Sequence, residues 1–152
     1  MKKNLETQIL NDLKLLTQEE NIKVNDPMSK HTSFKVGGPA DFYITVKTIE
    51  QIQNILKFAN KNNIPLYVIG NGSNLLVSDK GYNGVLIQIR EDNFCQLTVK
   101  KKDDKHYILT VGGGMLMKTL SIEACLLSLA GLDDIIDIPG TVGGGIIMNA
   151  SF

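Results

Sequence analysis

At 152 residues with 43% hydrophobic side chains, the chain is long enough for one domain, or for two small lobes that share a core. Its 16 basic and 16 acidic residues give a formal net charge of zero. This balance argues against a protein whose main function is to bind nucleic acid or an anionic membrane. The sequence contains no apolar run near the ~20 residues of a membrane span, and its first residues lack the apolar stretch of a signal peptide. We therefore expect a cytoplasmic protein, and we expect Cys95 and Cys125 to be free thiols rather than metal ligands.

The first predicted element is an amphipathic helix that begins near Leu5 and ends near Glu20. Leucine and isoleucine recur on one face of this helix, while acidic and basic residues occupy the rest. We expect residues 1–29 to be a packing helix and its lead-in, without chemistry of their own.

Turn residues then frame a short polar cluster. Asp26-Pro27 lies on one side and Gly37-Gly38-Pro39 on the other, and the cluster His31-Thr32-Ser33 between them could line a site. An isolated histidine is more often structural than catalytic, and the sequence offers no orienting partner for His31. We therefore expect His31 to have a structural role.

A strand, a helix and a second strand follow. Residues 42–46 read as a strand, Thr48 as the N-cap of a helix that ends at Asn62-Asn63, and Leu66–Ile69 as a buried strand. We expect the two strands to pair in parallel through a right-handed crossover. The buried face of the helix is predicted to comprise Ile49, Ile52, Ile55, Leu56, Phe58 and Ala59.

The loop Gly70–Asn74 stands between this strand and a further predicted strand, Leu75–Val77. Its two glycines permit close approach to the backbone, and its N–H groups and the Ser73 hydroxyl form a concavity suited to phosphate. The third glycine of the dinucleotide fingerprint and the lysine of the Walker-type loop are both missing, so the loop matches neither motif. A polar hairpin or crossover turn remains the alternative.

The next segment predicts a strand over residues 85–89, and then a hairpin that joins residues 97–99 to residues 107–111 through a lysine-rich, solvated tip. Gly112–Gly114 leads into a helix predicted from Met115 to Ala130, with Gly131 as its C-terminal cap. An anion could occupy the N-terminus of that helix.

Three carboxylates follow, at Asp133, Asp134 and Asp137. Because their spacing matches no known metal loop, we interpret them as exposed turn residues.

Glycine is concentrated in four clusters, the last of which is the stretch from Ile138 to Ala150. Eleven of the fourteen glycines lie in these clusters, at positions 37–38, 70 and 72, 112–114, and 140 and 143–145. Such loops in one small chain suggest a large, phosphate-bearing ligand that lies against bare backbone.

Three motifs together resemble the UDP-N-acetylenolpyruvoylglucosamine reductase (UDP-N-acetylmuramate dehydrogenase) family. They are residues 32–40, residues 70–76, and residues 138–144 with Met148-Asn149-Ala150. The resemblance implies an α+β fold, the FAD-binding domain of the vanillyl-alcohol-oxidase (PCMH) type. That fold has a small strand–helix–strand lobe, a larger mixed or antiparallel sheet lobe, and FAD between them.

The resemblance also implies boundaries and roles. Residues 30–152 would form the FAD-binding domain, with lobe one at about 30–90 and lobe two at about 91–152. The first loop would wrap the FAD pyrophosphate, and the last motif would line the flavin. The residues implied to bind the cofactor are Gly70, Asn71, Gly72, Ser73, Asn74, Gly114, Ile138, Pro139, Gly140, Thr141, Gly143, Gly144 and Ile147.

The family reaction uses NADPH and FAD to reduce the enolpyruvyl double bond of a UDP-sugar. Against this family the chain looks truncated: the substrate domain would be absent, and the catalytic Arg, Ser and Glu would lie beyond residue 152. Asp137 stands where many members have a small or apolar residue, and Ser151 replaces a glycine. We expect a monomer that binds FAD but is inactive alone. Another FAD-dependent oxidoreductase of the same fold, or a non-catalytic flavin-binding module, remains the alternative.

Overall fold

The fold combines helices with two β-sheets in a computed structural model that describes residues 2–90 and 92–151. In chain order the elements are α1 (Lys2–Leu16), β1 (Ile22–Pro27), β2 (Pro39–Thr45), α2 (Ile49–Lys61), β3 (Leu66–Ile69), β4 (Tyr82–Gln88), β5 (Leu97–Lys101), β6 (Tyr107–Val111), α3 (Met117–Leu126) and α4 (Val142–Ile147). None of the helices in this described part is both long and apolar enough for a membrane span.

The larger sheet has four strands in the order β1-β2-β4-β3. β1 is antiparallel to β2, whereas β2 and β3 both run parallel to β4. The predicted direct pairing of β2 with β3 is therefore wrong, because β4 lies between them. Val85, Leu86 and Ile87 of β4 are each at most 3% exposed, and a strand that is apolar on both faces takes the centre of a sheet.

Alternate side chains of this sheet form two cores, one on each face. Phe42 and Ile44 pack against α1 and α2 on one face, where Leu13 and Ile55 are fully buried. Tyr43 and its neighbours form the smaller core on the other face. β1 pairs with β2, and Leu13 of α1 packs against the same sheet. The segment before residue 30 therefore belongs to the same structural unit as the predicted first lobe.

Helix α2 begins as predicted, but fewer of its apolar side chains are buried than predicted. The Thr48 hydroxyl accepts a hydrogen bond from the Gln51 N–H, and the Gln51 side chain accepts one from the Thr48 N–H, which completes a capping box. Ile55 and Ala59 are buried, but Ile49 is 66% exposed and Leu56 41% exposed. The predicted buried face was therefore too wide.

Three other predictions need correction: the end of α1, a strand at residues 75–77, and the part of the chain that forms the mixed sheet. Helix α1 ends at Leu16 rather than near Glu20. Residues 75–77 form no strand: Leu75 and Val77 pack against the Tyr43 core, and Leu76 is 75% exposed. The four-stranded mixed sheet belongs to the first part of the chain, while the second part contributes the predicted hairpin of β5 and β6.

Helix α3 stops one turn before its predicted end. Ser128 adopts a left-handed conformation with φ of 59°. The Ser128 N–H donates to the Cys125 carbonyl and the Leu129 N–H to the Ala124 carbonyl, both at 2.9 Å. This is the Schellman pattern. Gly131, predicted as the cap, lies in the following turn with φ of 98°.

A buried polar cluster lies where β1 ends. Asp26 is 8% exposed, and its carboxylate accepts hydrogen bonds from Lys30 Nζ at 3.1 Å and from His31 Nε2 at 2.5 Å. The His31 ring stacks on the Tyr43 ring with centroids 3.8 Å apart. The prediction that His31 lacks an orienting partner is therefore wrong, although its structural role stands.

Two opposing effects set the pKa of Asp26. Burial opposes ionisation, but the hydrogen bonds and charges of His31 and Lys30 outweigh it, so the pKa of Asp26 lies below its usual value. Lys23 is a further cation, 4.0 Å from the carboxylate. The carboxylate therefore stabilises the fold above the unfolded-state pKa of 3.8, and this contribution is lost as pH falls through the lower folded-state pKa.

We predict that Asp26→Asn lowers the free energy of unfolding by about 1–3 kcal/mol at pH 7, because the largely buried His31 ring loses a charged acceptor. The deficit should shrink as the pH is lowered towards 3, since protonation of Asp26 weakens the wild type in the same way. Urea unfolding followed by circular dichroism at pH 7, 5 and 3 measures it. Asp104→Asn, at a 98% exposed carboxylate, is the control. A constant deficit across this pH range would contradict the prediction.

Candidate functional site

A cavity of about 780 Å³ opens between the carboxyl end of β3 and the loop that precedes α4. This volume is within the range of small-molecule and cofactor sites. All of the predicted cofactor-binding residues except Gly114 line it, together with residues that the sequence did not single out for this role. The lining consists of residues 67–75, Ile89, Gly113, residues 137–141, residues 143–145, and Ile147, Met148, Ala150 and Ser151.

The loop Gly70–Asn74 forms the polar end of this cavity. Its backbone N–H groups donate no hydrogen bond within the described part of the chain. Gly72 has φ of 67°, which turns the loop back on itself, and the Asn71 amide donates to Ser73 Oγ at 3.2 Å. Successive unpaired N–H groups in such a turn form an anion-binding nest.

The segment His31–Ser33 supports the loop from behind. The Ser33 N–H donates to the Gly72 carbonyl at 3.1 Å. A Cβ atom on Gly72 would lie only 2.0 Å from the His31 carbonyl oxygen, so only glycine fits. The prediction that this segment could line a site is wrong, because none of its residues is in the cavity wall.

Thr141 brings the loop before α4 against the end of β3. It is 2% exposed, and its hydroxyl caps α4 by accepting a hydrogen bond from the Gly144 N–H at 3.2 Å. A Cβ atom on Gly70 would lie 2.2 Å from Thr141 Oγ1. The end of β3 and the loop before α4 therefore approach each other as closely as backbone and side chain allow.

Only one residue of the third glycine cluster belongs to the described wall. Gly113 faces the cavity, and its carbonyl accepts a hydrogen bond from the Gly143 N–H at 2.9 Å. Gly114 is buried behind it, where its N–H donates to the Phe94 carbonyl at 2.8 Å and a Cβ would lie 3.0 Å from the Ile89 carbonyl oxygen.

Two other features predicted to contact a ligand, the N-terminus of α3 and the first glycine cluster, contact protein backbone instead. The Met117 N–H at the start of α3 donates to the Gly140 carbonyl at 3.0 Å, so a protein carbonyl takes the place predicted for an anion. Gly38 lies outside the wall, where a Cβ would be 2.0 Å from the Asp79 carbonyl oxygen. Of the four glycine clusters, two and part of a third therefore line the cavity.

Sequence reasoning predicted Ile147 as a cofactor-binding residue but missed the apolar side chains of β3 that line the site. Tyr67 and Val68 of β3, predicted as buried, are 50% and 43% exposed and line the cavity. Ile147, on the opposite wall, is 83% exposed. Exposed apolar side chains that face a cavity suit a planar or apolar ligand group. The signal in the sequence is the position of Tyr67 and Val68, separated by one residue from the donor-rich loop.

The charge of the wall is unusual for an anion site. Among the described lining residues, Asp137 carries the only ionised side chain, and neither lysine, arginine nor histidine is present. The exposed carboxylates Asp133 and Asp134 belong to the same 3-10 helix as Asp137 and lie outside the wall. No group of three potential metal-binding side chains is found in residues 2–90 and 92–151.

Taken together, the wall fits a dinucleotide cofactor such as FAD. The unpaired N–H groups of residues 70–74 match a pyrophosphate, and bare glycine backbone at Gly113, Gly140 and Gly143 leaves room for a flat ring system against it. The exposed side chains of Tyr67, Val68 and Ile147 would cover such a ring.

Comparison with known proteins agrees with this chemistry. The UDP-N-acetylenolpyruvoylglucosamine reductase of Lachnoclostridium phytofermentans is 41% identical over 142 residues, which are 93% of this chain and 45% of that protein. The crystal structure of the corresponding reductase from Thermus caldophilus matches with a TM-score of 0.63 and 34% identity, over 86% of this chain and 44% of the other. The chain thus spans less than half the length of these relatives.

A more distant structure supports the fold alone. p-Cresol methylhydroxylase, 17% identical, matches over 81% of this chain and 25% of its own with a TM-score of 0.55. This likeness and the mixed sheet confirm the predicted α+β fold of the vanillyl-alcohol-oxidase (PCMH) type. The family model described as an FAD binding domain matches residues 40–151, well over half of the sequence. The chain therefore belongs to the family of FAD binding domains.

Proposed function

We propose that this chain is the cofactor-binding part of a UDP-N-acetylenolpyruvoylglucosamine reductase. Such an enzyme would reduce its UDP-sugar substrate to UDP-N-acetylmuramate with NADPH as electron donor, for peptidoglycan synthesis in the cytoplasm. The observation that carries the proposal is the junction of the Gly70–Asn74 loop with the Ile138–Gly144 loop around one cavity. These are two of the three motifs by which the sequence resembles the reductases.

Within this proposal, the residues of the cavity hold FAD by contact with backbone. The N–H groups of residues 70–74 bind the pyrophosphate, and residues 138–141, 143 and 144 lie along the flavin, with Ile147 beside it. Bound FAD supplies two-electron redox chemistry. Gly114 remains a weaker candidate, since it reaches the site only through its neighbour Gly113.

The chain's own contribution is to bind and orient the cofactor. The described wall holds no arginine, the residue type expected to steady the enolate-like product of hydride transfer. We therefore assign the catalytic Arg, Ser and Glu to the part of the relatives that this chain does not match. In this proposal the chain is a monomer that binds FAD and has no reductase activity alone.

The first test is an FAD titration of the purified chain, followed by flavin absorbance and fluorescence. We predict saturable binding that Gly113→Asp weakens about tenfold or more, because the new side chain fills the space where the flat ring would lie against bare backbone and adds a negative charge to a cavity that would hold an anionic cofactor. This variant should fold normally, since a Cβ on Gly113 has no neighbour closer than 3.6 Å.

Thr119→Asp is the matched control, because it adds the same charge on the exposed face of α3, outside the cavity wall. Circular dichroism must show equal folding of all three proteins. A folded wild-type chain that ignores FAD, or a Gly113→Asp variant that binds FAD as tightly as the wild type, would contradict the proposal.

A second prediction concerns Asp137. Because it is the only ionised side chain in the described wall, its charge should oppose binding of an anionic cofactor. We expect Asp137→Asn to tighten FAD binding about two- to fivefold at low salt, and the gain to shrink at high salt. Isothermal titration at two salt concentrations measures it.

The control is Asp134→Asn, at an exposed carboxylate on the same 3-10 helix but outside the wall. It removes the same charge from the protein without removing it from the cavity. Equal effects of the two variants would mean that Asp137 acts only through net charge.

A further inference from the structure

We infer that the buried Asp26–His31 pair is a positioning device that holds the phosphate-binding loop Gly70–Asn74 in its open, donor-rich shape. The effect on cofactor affinity rests on the proposed function, whereas the effect on the loop does not. The pair lies outside the cavity wall, so it would act through the backbone rather than by contact with the ligand.

The first step is the fixing of the His31 side chain. Its Nε2 contacts the Asp26 carboxylate, and both side chains are close to nine-tenths buried, at 12% and 9% exposure. Lys30 also holds the carboxylate, at 3.1 Å. A short, charge-assisted contact in a buried site restrains the ring strongly.

The second step is the stack between His31 and Tyr43. The rings are inclined by 18° with centroids 3.8 Å apart, and Tyr43, on β2 in the four-stranded sheet, is 1% exposed. The His31 ring is therefore held in two directions, by the Asp26 carboxylate from β1 and by the Tyr43 ring from β2. The Tyr43 hydroxyl has no hydrogen-bond partner within the described residues, so the ring alone provides the contact.

The third step is the contact between the His31 backbone and the loop. A Cβ on Gly72 would lie only 2.0 Å from the His31 carbonyl oxygen, and the nearby Ser33 N–H donates to the Gly72 carbonyl. Thr32 stiffens this turn because its hydroxyl donates to the Val36 carbonyl at 3.0 Å. Any shift of the His31–Ser33 turn therefore moves Gly72 directly.

The loop needs this support because its N–H groups have no hydrogen-bond acceptors within the described residues. Converging N–H dipoles repel one another, and the described cavity wall offers no basic side chain to help bind an anion. Affinity for phosphate would then depend on how well the backbone keeps these groups aligned.

The test compares His31→Ala and Asp26→Asn with the wild-type chain in two measurements. The first, without any ligand, is the {¹H}–¹⁵N heteronuclear NOE of the Gly70–Asn74 amides. We expect lower values in both variants, which report larger picosecond–nanosecond motion of the loop. Unchanged values would overturn the inference whether or not FAD binds.

The second measurement compares affinity for FAD with affinity for riboflavin, which has the flavin ring but no phosphate. We expect FAD binding to weaken about tenfold in His31→Ala and riboflavin binding to change less than twofold. Equal losses for both ligands would point to general damage of the site and overturn the inference. A wild-type chain that binds no FAD would refute the proposed function, while the loop measurement still decides this inference.

Two control variants separate positioning from stability. Leu13→Ala opens the core on the opposite face of the sheet and should lower the melting temperature without changing loop motion or the FAD-to-riboflavin ratio. Tyr43→Phe keeps the ring that His31 stacks on and removes a hydroxyl without a partner in the described chain, so both readouts should match the wild type. A loop loosened as much by Leu13→Ala as by His31→Ala would overturn the inference.

Discussion

The structure of the site depends on the absence of side chains at two points of close backbone approach. At Gly70 the loop meets the buried hydroxyl of Thr141, and at Gly72 it meets the carbonyl of His31. These two contacts hold the loop between the His31–Ser33 segment and the segment before α4. The loop lines the cavity, and its N–H groups donate no hydrogen bond within the described residues, so a glycine-rich sequence held at two points can form a defined surface.

Features that depend on neighbours in the sequence were predicted well. The N-cap of α2 at Thr48 and the hairpin of β5 and β6 each involve residues close in the chain, so local pattern is enough to specify them. The cavity wall was also predicted largely from glycine clusters and from resemblance to a family. Glycine marks places where backbone approaches something closely, and two of the clusters do so at the site.

Features that depend on distant packing were not predictable in the same way. The apolar pattern of Leu66–Ile69 does not tell whether Val68 faces a core or a cavity, since both surroundings favour the same side chain. Gly38 and Gly114 look like ligand-binding glycines, yet their neighbours are carbonyl groups of the protein. The pairing of Asp26 with His31 requires the chain to fold back after β1, and no spacing rule indicates that an acidic turn residue becomes buried.

If the site holds the anionic cofactor of the proposed function, its electrostatics require a rigid backbone. A site with lysine or arginine can tolerate movement, because a long cationic side chain follows its anion. Here the described wall offers peptide dipoles and one opposing carboxylate, Asp137. A dipole's attraction for an anion weakens quickly with distance and misalignment, so the binding free energy depends on loop geometry more than on net charge. Selection for such binding would therefore act on the residues behind the loop, including His31 and Thr141, as strongly as on the residues that face the ligand.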